Sequence, residues 1–425
     1  MTKTLIIILI MLPSVLFSQF KNIKINTINN SPEEVSIAIN PKHPNNFIAG
    51  ANINNYYYSF DGGISWVNKE ISSKNNGVWG DPVLIFDANG SAYYFHLSRP
   101  SKGEWIDRIV CQKSTDGGMT YDDDGSYIGL NPPKKQDKPW ACADFTQSEW
   151  KNNIYVTWTQ FDAYESSKAE DSSNIMFSFS SDGGSSWSNA KMINQIPGDC
   201  MDSSNTTEGA VPCIGPNGEI YVGWSAWGKL YFDKSTDGGA TWLDNDILAG
   251  TQFGGWVYDI EGLYRCNGLP ITACDNSKSA FRGNIYINFS DPRNGVNDAD
   301  VFIVRSSDGG NSWSDAIRVN DDPMGNGKQQ FMSWMSVDPV TGAINIIYYD
   351  RRDYTDTKTD VYLARSTDGG STFENMKISE EPFIPVKNLF FGDYIAVDSY
   401  NDFTACLWQR VDSGKLSVIY TGKKF

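Results

Sequence analysis

An octapeptide pattern, Ser-x-Asp-Gly-Gly-x-Ser/Thr-aromatic, recurs six times along this 425-residue chain. It runs from Ser59 to Trp66 as SFDGGISW, then from Ser114 to Tyr121, Ser180 to Trp187, Ser235 to Trp242 and Ser306 to Trp313, and ends at Ser366 to Phe373 as STDGGSTF. Its aspartates are Asp61, Asp116, Asp182, Asp237, Asp308 and Asp368, spaced 55, 66, 55, 71 and 60 residues apart. That interval holds four short strands with their loops, and a unit of this size buries a core only against its neighbours. The chain must therefore be read as an array of packed repeats.

The pattern itself reads as structural chemistry. Paired glycines permit a turn with positive φ. The Asp carboxylate and the flanking hydroxyls can bond the turn's own amides. The aromatic side chain can pack between sheets.

These residues resemble the Asp box, the bacterial neuraminidase repeat of the sialidase-like superfamily, over nearly the whole chain after residue 18. The resemblance implies an all-β propeller. It also implies that the box joins the third and fourth strands of each blade, on the face opposite the active site.

Self-comparison adds a seventh unit. Strand, turn and aromatic strand follow one another in Val83-Leu84-Ile85-Phe86-Asp87 and Ala92-Tyr93-Tyr94-Phe95, and again in Met335-Ser336-Val337-Asp338 and Ile344 to Tyr349. Asn-Gly and Thr-Gly steps between them are hairpin signals. The same unit returns at Tyr394 to Asp398, Thr404 to Trp408 and Leu416 to Tyr420, and there the chain ends before a fourth strand. Asn22-Ile23-Lys24-Ile25-Asn26 has the look of the other fourth strands. The expectation is a single β-propeller of seven four-stranded blades, with the N-terminal strand closing the last blade and removing exposed edges. Six blades, as in the sialidases, is the alternative.

Lys3, the apolar run from Leu5 to Phe17 and the small Ser18 read as a signal peptide over residues 1–18, with the propeller over 19–425. The expectation is a secreted monomer with no membrane span. A net charge of −16 argues against a nucleic-acid partner. Export permits disulfides, but the seven cysteines include no Cys-x-x-Cys pair, and Cys142 and Cys274 occupy equivalent strand positions, which favours plain buried thiols. With only His43 and His96, a His-based metal site or a Ser-His-Asp triad is not expected. No cofactor is required, and calcium is the one ion that acidic loops could take.

Residues that precede inner strands, or end second strands, converge on one face of a propeller. Before the inner strands stand Glu34, Asp81, Asp137 with Lys138, Glu208, Gln330, and Asp393 with Tyr394. Asp291, Arg293, Asp350, Arg351, Arg352 and Arg410 end second strands. With Trp140 or Trp334, such a mouth suits a polar, hydroxyl-rich or anionic ligand, an extracellular glycan above all. The column Asp87, Asp144, Asp275, Asp338 and Asp398 reads instead as turn caps.

The sialidase resemblance implies a tyrosine nucleophile with a glutamate base, an aspartate acid and three arginines on the sugar carboxylate. Thr207-Glu208-Gly209-Ala210-Val211 and Gly392-Asp393-Tyr394-Ile395 match the glutamate and tyrosine segments, so Glu208 and Tyr394 carry over, with Asp81 as acid. Arg293, Arg351, Arg352, Glu34, Asp137, Asp393 and Trp140 are the expected substrate contacts. The arginines depart from the family: none precedes Arg99 and none lies between Arg108 and Arg265. Arg293 or Arg351 could stand for the third. Three functions follow: glycoside hydrolysis on an extracellular glycan, neutral or anionic; non-catalytic binding of glycan or protein; and polysaccharide lysis using His96 beside Arg99.

Overall fold

A computed structural model describes residues 20–425. The expected signal peptide lies outside the described residues. Seven four-stranded antiparallel sheets form among them, with no helix, and they close into a seven-bladed β-propeller. Blades I to VII begin at the inner strands Ser36–Ile39, Val83–Phe86, Lys135–Ala143, Glu208–Ile214, Ile271–Cys274, Gln330–Val337 and Ala396–Tyr400. Each inner strand packs against the next around the ring, and that of blade VII against that of blade I.

Closure follows the expectation from sequence. Ile23–Lys24 pairs with Lys415–Lys424, setting Ile23 opposite Tyr420. The Asn26 side chain accepts from the Val418 amide at 2.8 Å, and Asp398 accepts from the Ile39 amide at 2.8 Å. Both chain ends are thus tied into one sheet.

Burial explains the sequence pattern. Second strands such as Ile154–Phe161 are buried at every position because neighbouring blades cover both faces. They are mainly apolar on both faces, and the polar residues among them, such as Thr157 and Thr159, are hydrogen-bonded within the protein. Outer strands such as Lys191–Met192 are exposed.

The six repeated turns share one hydrogen-bond scheme. In the first, Asp61 accepts from the Ser59 hydroxyl at 2.8 Å, the Ser65 amide at 2.9 Å and the Ser65 hydroxyl at 2.5 Å. The turn's aromatic ring reaches the preceding blade: Trp242 packs on Phe177 at 4.9 Å, Trp313 on Phe232 at 5.1 Å and Trp66 on Tyr420 at 5.1 Å. The second glycine is required twice over. Gly310 has φ +84°, and a Cβ there would strike the Phe232 ring.

Asp87, Asp144, Asp275 and Asp338 cap turns, as when Asp87 accepts from the Asn89 and Ser91 amides, both at 2.9 Å. Asp398 instead bridges blades VII and I. All seven cysteines are free thiols.

Candidate functional site

The inner strands begin with an unusual backbone. Glu34, Asp81, Lys138 and Met332 adopt left-handed φ values of 54°, 51°, 49° and 47°, and Gly209 takes 78° in the corresponding place. A left-handed non-glycine residue costs about 1–2 kcal/mol, and such outliers are held where the surroundings over-determine them. In three blades a bulge accompanies the turn, between Asp137 and Trp140, Glu208 and Val211, and Phe331 and Trp334. The bulge re-aims side chains, so Asp137 and Glu208, one residue before the left-handed position, reach the same centre as Glu34 and Asp81.

At that centre lies Lys138. Its ammonium sits 2.7 Å from Asp393 Oδ2, 3.9 Å from Asp81 Oδ2 and 4.0 Å from Glu34 Oε1. Asn52 donates to Glu34, and its side-chain oxygen accepts from the Asp81 amide at 2.8 Å. Gly392, with φ +86°, lets blade VII approach blade I: a Cβ there would lie 2.8 Å from Glu34 Cγ.

Arg265 closes the ring from above. It comes from the insertion between blades IV and V, residues 252–270. Its Nε donates to Asp393 Oδ1 at 2.9 Å, its Nη2 to Asp393 Oδ2, and its Nη1 to Asp202 Oδ2 at 3.0 Å. Tyr164 donates to the same Asp202 oxygen at 3.0 Å. Arg265 keeps 27 % of its side chain exposed, while the carboxylates below it are buried.

Burial pushes the Glu34 and Glu208 carboxyls well above the usual range, and neighbouring acids add to it. Asp137 is pushed up to about 8, by burial first and then by Asp81 and Asp202. Burial also raises Glu33 to about 8. Asp393 goes the other way. Burial opposes its ionisation, but Lys138 and Arg265 outweigh that and hold it well below the ordinary carboxylate range. Acids held above the ordinary range thus stand beside Asp393, held below it, and pKa values pushed apart in this way are what acid–base catalysis uses.

Both oxygens of Glu208 are buried without a hydrogen-bond partner. The neighbouring Thr159 hydroxyl gives its hydrogen to the Thr207 carbonyl, at 2.8 Å. The Tyr394 hydroxyl is likewise buried and unpartnered, and burial, Asp81 and Glu34 raise its pKa well above that of free tyrosine. The acids acting most strongly on Tyr394 are Asp81 and Glu34, whereas Glu208 faces Asp137 and Asp202. Buried unpaired polar atoms are costly, so these two are the sharpest marks of a ligand site.

Of the residues expected from sequence, Glu34, Asp81, Asp137, Glu208, Asp393 and Tyr394 meet here. Trp140 lies beneath the ring. It packs on Trp334 at 4.2 Å and on Tyr394 at 5.1 Å. Both tryptophans also line a channel of about 890 Å³ reaching the opposite face past Cys142, Cys213 and Val337.

The arginines expected from sequence do not join the ring. Arg293 grips Asp291 at 2.9 and 2.7 Å and stacks on Phe302 at 4.2 Å. Arg352 pairs with Asp350 at 2.8 Å and stacks on Tyr362 at 4.2 Å. An arginine two residues after a strand-ending aspartate folds back to clamp its own blade. Arg351 is buried, donating to Thr359 at 3.1 Å and Gln329 at 3.0 Å, and burial lowers its pKa to about 10. His96 is buried within blade II between Leu97 O and Gln112 Oε1, at 2.8 and 3.0 Å. Sequence reasoning left Lys138 at the margin and missed Arg265 and Asp202. Lys138 carries the signal of a lone cation in an otherwise acidic column, while the insertion holding Arg265 has no counterpart in other repeats. Among the described residues no three His, Cys, Asp or Glu side chains are placed so that they could hold a metal ion together.

No family model matches the chain, and no curated protein matches it. Solved structures do. An unknown-function protein from Dyadobacter fermentans superposes with a TM-score of 0.53 at 15 % identity, over 83 % of this chain and 96 % of that one. An ulvan lyase, a polysaccharide lyase bound to a glucuronate–sulfated rhamnose unit, gives 0.53 at 13 %, over 94 % and 95 %. The NanB sialidase of Streptococcus pneumoniae gives 0.50 at 11 %, over 89 % and 83 %. The shared feature is the fold. At these identities site residues do not transfer.

Proposed function

We propose that this chain is a secreted, glycan-processing propeller that hydrolyses a glycosidic bond at the acid ring. The observation that carries the reading is the Tyr394 hydroxyl, buried and unpartnered beside Asp81 and Glu34, with the unpartnered Glu208 across Lys138. Export through residues 1–18 and a monomeric state belong to the same proposal, and calcium remains an optional ligand. The fold shared with a sialidase and an ulvan lyase is consistent with the glycan class.

Tyr394 would attack the anomeric carbon while Asp81 takes its proton. Glu208, kept protonated by burial, would give its proton to the leaving oxygen as the glycosidic bond breaks. Water would then release the sugar from Tyr394. The resemblance to sialidases implies Glu208 as the base, whereas the position of Asp81 beside Tyr394 favours Asp81 for that role.

The test is a screen of residues 19–425 against sialosides, neutral glycans, amino-sugar glycans and anionic polysaccharides, reading reducing sugar and 4,5-unsaturated product. Tyr394→Phe and Glu208→Gln should each lower turnover by about 10²–10⁴-fold while the fold persists. Unchanged turnover in both would refute the assignment. An unsaturated product would favour a lyase, although His96 is taken up within blade II.

Non-catalytic recognition is the second reading, favoured by how thoroughly the ring is buried. It requires binding without turnover, unaltered in Tyr394→Phe.

A further inference from the structure

We propose that the acid ring is a receptor for a protonated amine, the ammonium group of an amino sugar, and that Arg265 stands in its place when no ligand is bound. The proposal rests on the glycan reading above and names its substrate class.

Charge is the first argument. Among the described residues, Glu34, Asp81, Asp137, Glu208 and Asp393, together with Asp202, face two cations, Lys138 and Arg265. Both cations are already held by carboxylates. A sugar carboxylate or sulfate entering here would find no cation that is not already paired, and a buried charge without a partner is costly.

What the ring already holds is the second. Lys138 is an ammonium seated among Asp393, Asp81 and Glu34. Arg265 is a second cation, reaching in from an insertion to span Asp393 and Asp202. These carboxylates therefore bind nitrogen cations. The more exposed of the two guests is tethered by a loop and not by a strand.

The third argument is independent of charge. Both Glu208 oxygens are buried with no hydrogen-bond partner. A ligand that satisfies them must bring N–H or O–H groups, and an ammonium brings three.

An aromatic path leads to the same place. Trp79 packs edge-on to Trp105 at 6.1 Å, Trp105 to Tyr164 at 5.3 Å, and Tyr164 bonds Asp202. Trp105 is 38 % exposed. Aromatic faces attract cations as well as apolar ring surfaces, so this path suits the ring of an amino sugar whose ammonium enters between Asp202 and Glu208, displacing Arg265.

The experiment is titration calorimetry of residues 19–425 at mildly acidic pH. The probes are the disaccharide of glucosamine, its N-acetylated form, a sialylated oligosaccharide and the simple diamine cadaverine. The amine disaccharide should bind at least about tenfold more tightly than its N-acetylated form. Arg265→Ala should strengthen amine binding, and Glu208→Gln should abolish the preference with the circular dichroism spectrum unchanged. If Arg265→Ala does not fold, Asp202→Asn, which removes one carboxylate holding Arg265, makes the same comparison. Equal binding of both disaccharides, or tighter binding of the sialylated probe, would overturn the amine site and leave the glycan reading standing. Cadaverine binding that depends on Glu208, with no glycan bound, would keep the amine site and overturn the glycan reading.

Discussion

Lys138 is the buried cation that pairs with Asp393, at 2.7 Å, in the middle of the acid ring. Removing one partner of a buried ion pair leaves uncompensated charge, at a cost of about 3–5 kcal/mol. Lys138→Met should therefore lower stability by that order at neutral pH, measured by urea denaturation. The loss should shrink in acid, where the orphaned carboxyls take up protons. A pH-independent loss would show that packing, not charge, is what the lysine supplies. Gly310 tests the repeated turn. Its φ is +84° and its Cα lies against Phe232, so Gly310→Ala should cost about 1–3 kcal/mol through backbone strain and overpacking. A denaturation midpoint matching the parent would contradict the close packing described for that turn.

Elements carry the closure and the clamps. Ile23–Lys24 completes blade VII, and without it Lys415–Lys424 becomes an open edge available to other chains. Deleting residues 19–26 should lower the melting temperature and produce concentration-dependent oligomers in size-exclusion chromatography; a monomer of parental stability would contradict closure by this strand. The Asp291–Arg293 and Asp350–Arg352 clamps brace their own blades, and each arginine also reaches a neighbouring segment, Arg293 to the Thr251 carbonyl at 2.8 Å and Arg352 to Asp321. Arg293→Gln should cost about 1–3 kcal/mol, the range for a hydrogen bond to a charged group, while glycan affinity stays within about twofold. A large loss of affinity at intact stability would return Arg293 to the site.

The whole molecule has opposing pH responses. Asp137 and Glu33 have folded pKa values near 8, raised above those of the unfolded chain. The folded state thus binds more protons in between, and their contribution is full below pH 4 and lost as pH rises towards 8. The turn carboxylates Asp182, Asp308 and Asp368 are lowered to about 2, chiefly by hydrogen bonds from the turn's hydroxyls and amides, with burial opposing this. Their contribution is present above pH 4 and lost as pH falls towards 2. Stability should therefore peak in mild acid and fall on both sides, as read from urea midpoints across pH 2–9. A maximum above pH 8 would mean that the ring acids are ionised in the folded protein.

The sequence by itself determined the blade, its turn and the number of repeats, because those interactions are local. Ser59, Asp61 and Ser65 meet within a single turn, and Asp87 bonds amides two and four residues on, so their chemistry is written in consecutive residues. The missing fourth strand was legible too, since closure demands a strand and only the N-terminus had one unused. The Asp-x-Arg spacing repeated at Asp291 and Asp350 was a local signal of a clamp, although arginines at strand ends had suggested a cleft. Tertiary structure alone decided the ring. Glu34, Asp81, Lys138, Glu208 and Asp393 come from five blades, and the left-handed residues and bulges choose which side chains face the axis. Arg265 enters from an insertion outside the repeat, where no periodicity could point to it. Whether a charged side chain serves a ligand or its own blade depends on which opposite charge lies nearest, and that distance is set by the closure of the whole ring.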